Sequence, residues 1–517
     1  MALRSTADNS SIGVDEIPPS RTLYQLATGL SETGPTGPDC AAPDVVVTGL
    51  TADSRQVQPG YVFVAIPGYV HDGHDYIAEA IAKGAAAIIY SDPAYAATAS
   101  GATSTLRVDD SRRALAVLAD RFYDHPSRHL TLVGVTGTNG KTTTVAILDA
   151  IFRAAGHGTG TIGTLGSTIL DQHVSGDRTT PDAVELQRLL AEMVQRGVTH
   201  AAMEVTSHAL DLHRVYAVSF AAAVLTNMTQ DHLDWHGDMD SYFASKAVLF
   251  GQYVAFSPHM VGAINLDDPW GRQLARQADC SVTGYSIEAE GEVVAGGLQL
   301  SPSASRFDLR LGQQQMPVRT PLIGRFNVYN CLAAAATCYA LGFDPDVIVA
   351  GLQAVAQMDG RFQRVQRGQP FAVIVDYAHT PEALANVLKT ARDLDPQRLI
   401  CVFGCGGNRD RTKRPKMGAV VTQLADLSII TSDNPRSEDP RAIVAEIVAG
   451  IDEAEFHIQV DRRQAIADAI RAAQPGDLVL IAGKGHETYQ EFATGRIDFD
   501  DRVVAAEVLT DLGYDDR

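Results

Sequence analysis

Residues 131–144 read TLVGVTGTNGKTTT, an apolar run that breaks into a small, glycine-rich loop and ends on a lysine and threonines. The apolar run reads as a buried strand and the segment after the lysine as a helix. Between them Gly137, Thr138, Asn139, Gly140, Lys141 and Thr142 form a phosphate loop. Small residues let backbone N–H groups wrap phosphate oxygens, the helix N-terminus adds its dipole, and Lys141 adds a charge. Thr142 offers a hydroxyl to Mg²⁺. The strict pattern asks for glycine at position 135, where this chain has Val135, so the loop is a variant.

Outward from that loop the same grammar repeats: apolar run, polar or glycine-rich loop, amphipathic helix. EVTSH follows HAAM, and TNMTQDHLDWHGD follows FAAAVL. Farther on, DYAHTP follows AVIV, GCGGNRD follows LICVF, TSDNPR follows LSII, and AGKGHE follows LVLI. Leu186, Leu189, Leu190 and Met193 recur at helical spacing, with Thr180 expected as N-cap and Pro181 at the first helical position. Thr380, Pro381 and Glu382 repeat that start, with Leu384, Val387 and Leu388 on one face. Strand–loop–helix units in series imply α/β domains with parallel sheets, whose ligands lie beyond the carboxyl ends of the strands. The expected divisions are a disordered lead-in at 1–21, then domains at 22–128, 129–357 and 358–517.

The chain of 517 residues carries 42 Lys plus Arg against 62 Asp plus Glu, a net charge of −20. That length exceeds a single core, and that charge excludes a whole-chain footprint on nucleic acid or anionic lipid. The six cysteines form no paired CxxC spacing and read as thiols of a reducing compartment. Without a secretory signal or an apolar run of about 20 residues, a cytoplasmic protein is expected.

Further chemistry sits on the loops. Glu204 ends a strand and offers a carboxylate to Mg²⁺. Asp231, His232, Asp234 and His236 crowd together, with Lys246 on a following helix; such a loop reads either as a metal site or as a capped turn. Gly158, Gly160 and Gly163 satisfy GxGxxG but follow a helix, so no dinucleotide site is expected there. Asp433, Asn434, Pro435 and Arg436 make a rigid loop from which Arg436 can grip a carboxylate bidentately. Arg409 and Glu487 lie on loops of the same edge. Two arginines and an acid suit a zwitterionic amino acid, and ordinary loop ion pairs are the alternative.

In order along the chain, GTNGKTTT, EVTSHAL, NMTQDHLDWHG with Lys246, GRFNVYN, DGRFQRV, DYAHTP, GCGGNRDRTKRP, DNPR and AGKGHE resemble the Mur ligases. The resemblance runs from about residue 22 to the C-terminus. It implies an N-terminal domain for a uridine nucleotide, a central P-loop-type parallel-sheet ATPase and a C-terminal Rossmann-like domain for an amino acid. The implied reaction is ATP-dependent addition of meso-diaminopimelate to the D-Glu side chain of UDP-MurNAc-L-Ala-D-Glu, through an acyl phosphate. That places the chain in peptidoglycan precursor synthesis, and so in cell-wall biogenesis, cell shape and division. The expected partners are these substrates and ATP, with Mg²⁺, no nucleic acid and no membrane insertion, for a chain acting as a monomer.

By matching position, Gly137, Thr138, Asn139, Gly140, Lys141, Thr142 and Thr143 surround ATP, joined by Asn327, Arg361, Asp376 and His379. Thr142, Glu204 and His232 belong to the Mg²⁺ environment, and Lys246 falls where the family carries a carbamylated lysine (N6-carboxylysine). Lys141, Lys246, Glu204, His232 and Arg361 are the implied catalytic set. The nucleotide-dipeptide is implied at Ala52, Ser54, Tyr69, Val70, His71, Thr179, Thr180, Thr206 and Arg214. Ala52 and Leu212 stand where some relatives have Leu and Gln, and Thr206 replaces the commoner Ser. Leu212 has no hydrogen bond to give and is not counted as a binding residue. DNPR resembles the diaminopimelate-adding members: that amino acid has a second carboxylate where lysine has none. Arg409, Asp433, Asn434, Pro435, Arg436, Gly483 and Glu487 would form its site. A lysine-adding member or a folylpolyglutamate synthase-like ligase are the alternatives.

Overall fold

The computed structural model describes residues 21–30, 45–68, 71–176, 178–452 and 455–515. Most of the lead-in, and Tyr69, Val70 and Cys40, lie outside them. Arg21, expected in the lead-in, pairs as a strand residue with Val47 and bonds Asp124 at 2.7 Å. By contact the chain divides into two compact units, Met1–Val145 with Ala155–Thr283 and Ala146–Ala154 with Gly284–Arg517.

Besides the short pair Arg21–Thr22 with Val46–Val47, the first unit carries a four-stranded sheet and the central strands of a larger one. Gly49–Thr51, Tyr61–Val64, Ala87–Tyr90 and Ser104–Arg107 pair in that order, all parallel. Their inward residues Val62, Val64, Ala87, Ile89 and Leu106 share a core with Leu115, Leu118 and Phe122 of helix Ser111–Phe122. The larger sheet centres on Thr131–Thr136, flanked in parallel by His200–Glu204 on one side and Ala222–Leu225 on the other. All three are fully or nearly fully buried, which is why they read as unbroken apolar runs. Their carboxyl ends deliver the three loops carrying Gly137, Glu204 and His232 to one edge.

Helix Ala183–Gln195 buries Leu186, Leu189, Leu190 and Met193 as their spacing requires. Its N-cap is Asp182, which accepts from Glu185 N, and not Thr180. The Thr180 hydroxyl instead donates to the Glu204 carbonyl at 2.8 Å and accepts from Thr206 N at 3.2 Å, so its oxygen faces that strand end and not the helix. The GxGxxG glycines lie in or beside strand Thr159–Gly163, and the chain turns from there into a second strand, Gly166–Ile169. Their role is packing. A Cβ on Gly160 would meet Met193 Sδ at 2.7 Å, and one on Gly163 would meet Glu204 Oε1 at 2.4 Å.

In the second unit, strands Ala372–Asp376, Leu478–Ala482, Leu399–Phe403, Leu427–Ile430 and Phe456–Ile458 lie parallel in that spatial order. A short antiparallel strand, Gln363–Arg364, closes the edge beside Ala372–Asp376. One face is covered by Pro381–Arg392, Lys413–Leu424 and Pro440–Val448, and the other by Arg462–Ala472 and Asp501–Asp511. Thr380 caps the first of these helices, accepting from Ala383 N, with Pro381 opening it and Leu384, Val387 and Leu388 buried. The fold is thus α/β in three domains. Cys331, Cys338, Cys401 and Cys405 are buried free thiols and Cys280 is a half-buried one. Among the described residues no helix is long and apolar enough to cross a membrane.

Candidate active site

The phosphate loop is braced from the neighbouring strand end. Thr138 N donates to Asn227 O at 2.9 Å, Asn139 N to Asn227 Oδ1 at 3.0 Å, and Thr226 Oγ1 to Asn139 O at 2.6 Å. Gly137 has φ +140°, and a Cβ there would lie 1.9 Å from Thr226 Oγ1, so no larger residue fits. Lys141 Nζ donates to the carbonyls of Gly137 (3.0 Å) and Thr138 (2.8 Å).

Glu204 stands next to this loop. It is 1% exposed and accepts from Thr142 Oγ1 (2.9 Å), Thr164 N (2.8 Å) and Thr164 Oγ1 (3.2 Å). A buried carboxylate held only by neutral donors calls for a cation. The Thr142 hydroxyl and Glu204 carboxylate are hard oxygen donors that fit Mg²⁺, which takes few protein ligands and keeps waters. Among the described residues no three His, Cys, Asp or Glu side chains gather as a ready metal cage.

Lys246, on helix Met239–Ala247, is 2% exposed and donates to Gly137 O at 3.0 Å. Burial first, and the charge of Lys141 second, hold its amine well below the usual lysine range. His232 is exposed, with left-handed backbone (φ +52°). Its ring lies 4.8 Å from that of His208 and 6.1 Å from that of Tyr242. Tyr242, pushed up to about 12 chiefly by burial, reaches Thr138 Oγ1 at 3.3 Å. Of the four residues crowded at 231–236, His236 turns inward to Ser207 Oγ (3.0 Å), while Asp231 binds the His232 backbone N–H.

From Glu204 a hydrogen-bonded chain runs through Thr180 to Arg214, which lines a cavity of about 950 Å³. Thr164 Oγ1 lies 3.1 Å from Thr179 Oγ1, Thr180 Oγ1 lies 3.3 Å from Thr206 Oγ1, and Arg214 donates to Thr180 O at 3.1 Å. Arg214 lines the cavity together with Ala52, Arg55, Arg112, Arg178 and Leu212. The same wall carries Asp53, Asp182 and Glu185; Asp53 pairs with Arg55 at 2.8 Å and Asp182 with Arg178 at 3.6 Å, while Arg112 and Arg214 donate to backbone carbonyls and are the guanidiniums that suit an anion. Ser54 does not line it: its hydroxyl donates to Glu79 Oε2 at 3.1 Å. Thr164, Arg55, Arg112 and Arg178 escaped the reading of the sequence because they come from separate segments with no local pattern.

In the second unit Asn327, in the first turn of helix Arg325–Ala340, donates to Ile323 O at 2.9 Å. The Arg361 guanidinium stacks 4.9 Å above the Tyr377 ring, and its buried Nε has no hydrogen-bond partner. Asp376 accepts from the backbone N–H groups of Phe362 and Ala378, both at 2.8 Å, and burial raises its carboxyl above the usual range. His379 is exposed, its Nδ1 2.8 Å from Tyr377 O.

The DNPR and GKGHE loops meet. Asn434 Nδ2 donates to Glu487 Oε2 at 2.7 Å, and the fully buried Lys484 bridges Asn434 Oδ1 and Glu487 Oε2, both at 3.0 Å. Lys484 lies within the GKGHE run, between the expected site residues Gly483 and Glu487. Gly483 has φ +121° and leaves room for Asp433 Oδ2, 2.6 Å from where its Cβ would stand. Arg436 donates from Nη1 to Gly407 O at 2.9 Å, and Pro435 lies against Gly407. Arg409 is exposed on the adjoining loop.

An ATP-type phosphate loop joined to an anion cavity, with a separate parallel-sheet domain presenting arginine at its loop edge, defines a class of ligase. Residues 46–123 match the catalytic domain of the Mur ligase family, 135–338 the Mur ligase middle domain, and 360–485 the Mur ligase glutamate ligase domain. The chain belongs to the Mur ligase family. It is 44% identical over 494 residues to the UDP-N-acetylmuramoyl-L-alanyl-D-glutamate–2,6-diaminopimelate ligase of Solibacter usitatus, covering 95% of this chain and 99% of the relative. Identity to the ligase of the same name from Syntrophomonas wolfei is 45%, over 90% and 95% of the two chains. A solved structure bearing that name superposes with a TM-score of 0.70 at 34% identity, covering 90% of this chain and 96% of that one.

Proposed function

We infer that the protein is an ATP-dependent ligase that joins diaminopimelate, in its meso form, to the D-Glu side-chain carboxylate of UDP-MurNAc-L-Ala-D-Glu in peptidoglycan precursor synthesis. The observation that carries this is the hydrogen-bonded run from Thr142 through Glu204 to Thr179, Thr180 and Arg214. It ties the phosphate-binding loop to an arginine of the cavity through one residue: the Glu204 side chain takes Thr142, its carbonyl takes Thr180, and Arg214 of the cavity wall donates to Thr180 O.

The N–H groups of residues 137–142, with Lys141, hold the ATP phosphates, and Arg112 and Arg214 suit the diphosphate and sugar acid of the nucleotide substrate. Thr142, Glu204, His232 and Lys246, the last as its carbamate, would hold Mg²⁺, which when bound neutralises phosphate charge. A D-Glu carboxylate oxygen attacks the γ-phosphorus, ADP leaves, and an acyl phosphate remains. The amine of diaminopimelate then adds to the acyl carbon, and the tetrahedral adduct expels phosphate. Little covalent work falls to the protein, so positioning and charge neutralisation are its contribution. Asn327, Arg361, Asp376 and His379 serve the nucleotide. Arg436 takes the distal carboxylate of diaminopimelate, with Arg409, Asn434 and Glu487 around its amino-acid end, which is the chemical ground for preferring it to L-lysine. The chain works as a monomer in the cytoplasm.

Labelling tests the acyl phosphate. With ¹⁸O in the D-Glu side-chain carboxylate, the released phosphate carries one ¹⁸O by mass spectrometry; phosphate without label would rule the route out.

A further inference from the structure

The strand after GKGHE closes on the DNPR loop. Glu491 N donates to Asn434 Oδ1 at 3.0 Å, and Arg436 N donates to Glu491 O at 2.9 Å, so backbone groups alone fix Glu491 against the loop. Its carboxylate turns to the Arg436 guanidinium, with Oε2 3.3 Å from Nε. Its other oxygen lies 3.7 Å from Nε of Arg496, which stacks 4.4 Å above the Tyr489 ring.

Arg436 is thus placed by two contacts: an ion pair between Nε and Glu491 at 3.3 Å and a hydrogen bond from Nη1 to Gly407 O at 2.9 Å. Its backbone, at φ +52°, is equally constrained. A guanidinium carries five N–H groups in a planar fork. With Nε facing the Glu491 carboxylate and one Nη1 hydrogen on Gly407 O, Nη2 and the second Nη1 hydrogen remain to meet a carboxylate through two parallel bonds. An arginine free to rotate would lose that geometry to side-chain entropy.

We propose that Glu491 is a positioning residue for diaminopimelate specificity: it orients Arg436 so that the Nη edge faces the distal carboxylate of the amino acid. This rests on the reading of Arg436 given above. Glu491 touches no reacting atom, and its effect reaches the substrate only through Arg436. It therefore acts on an amino acid with a second carboxylate and not on L-lysine.

The test is kinetic, in the full-length enzyme. Glu491→Ala raises the KM for meso-diaminopimelate about fivefold, the upper worth of a partly exposed ion pair, and leaves kcat within about twofold. Glu491→Gln, which keeps an acceptor for Nε, restores most of the loss. kcat/KM with L-lysine does not change, and in an Arg436→Ala background Glu491→Ala has no further effect. A KM that falls in Glu491→Ala would make the carboxylate a competitor for Arg436 and overturn the proposal. So would equal losses with both amino acids, or losses that add to those of Arg436→Ala. Wild-type enzyme indifferent between meso-diaminopimelate and L-lysine would overturn the reading of Arg436 itself, whereas full preference untouched by Glu491→Ala would overturn the role of Glu491 alone.

Discussion

At the scale of single residues, the amine of Lys246 is the group whose chemistry depends most on its surroundings. Only a neutral amine takes up CO₂, and burial beside Lys141 lowers its pKa, so the neutral form persists to lower pH than on a surface lysine. As pH falls through that lowered pKa the amine protonates and the carbamate is lost. Activity therefore falls on the acid side, and stripping bicarbonate lowers it at neutral pH. Lys246→Ala should cut kcat about a hundredfold or more, as removal of a charge-stabilising group does, with ATP still bound. Carbon NMR of enzyme in labelled bicarbonate should show one carbamate signal that Lys246→Ala removes; its absence from the wild type would refute the modification. The lowered pKa also fixes the sign for stability. Between the folded and unfolded pKa values the unfolded chain binds more protons, so stability declines as pH drops through that window. Thr142, Glu204 and Lys246 were legible because each falls at a fixed offset from a strand end or within a recognisable run. Thr164, which bonds Glu204 twice, was not, because its place is set by a strand pairing that no local pattern announces.

At the scale of elements, strand–loop–helix punctuation gave the right order of units, and caps were its weak point. Thr380–Pro381 and Thr180–Pro181 look alike in sequence, yet only the first opens a helix. The difference is tertiary: Thr180 is drawn to the Glu204 carbonyl and Thr206, and Asp182 takes over as cap. Tertiary bonding also seats the DNPR and GKGHE loops. Arg462, fully buried on helix Arg462–Ala472, makes two 2.7 Å bonds to the equally buried Asp501 of helix Asp501–Asp511. It also donates to the carbonyls of Ser432 (3.2 Å) and Ala482 (3.0 Å), directly before Asp433 and Gly483. Arg462→Met leaves Asp501 buried without its cation and should cost about 3–5 kcal/mol in denaturant unfolding. Asp501→Leu added to it should recover much of that loss. A midpoint unchanged in the single variant would show that the pair does not hold these helices.

At the scale of the whole molecule, the net charge of −20 and the arginine-lined cavity belong together. Acidic surroundings repel polyanions in general, while one concave cluster of cations admits an anion of the right shape. Composition announced the first half of that statement. The second half was hidden, because Arg55, Arg112, Arg178 and Arg214 are far apart in sequence and meet only once the cavity forms. The succession of short polar and glycine-rich runs carried the three-domain reading, and the matches to three Mur ligase domains bear it out. What the protein does is tested most directly by phosphate release with ATP, Mg²⁺ and UDP-MurNAc-L-Ala-D-Glu, adding meso-diaminopimelate or L-lysine separately. Release that requires meso-diaminopimelate, with the nucleotide-tripeptide seen by mass, is the expected result; release with L-lysine alone, or none with either, would contradict it.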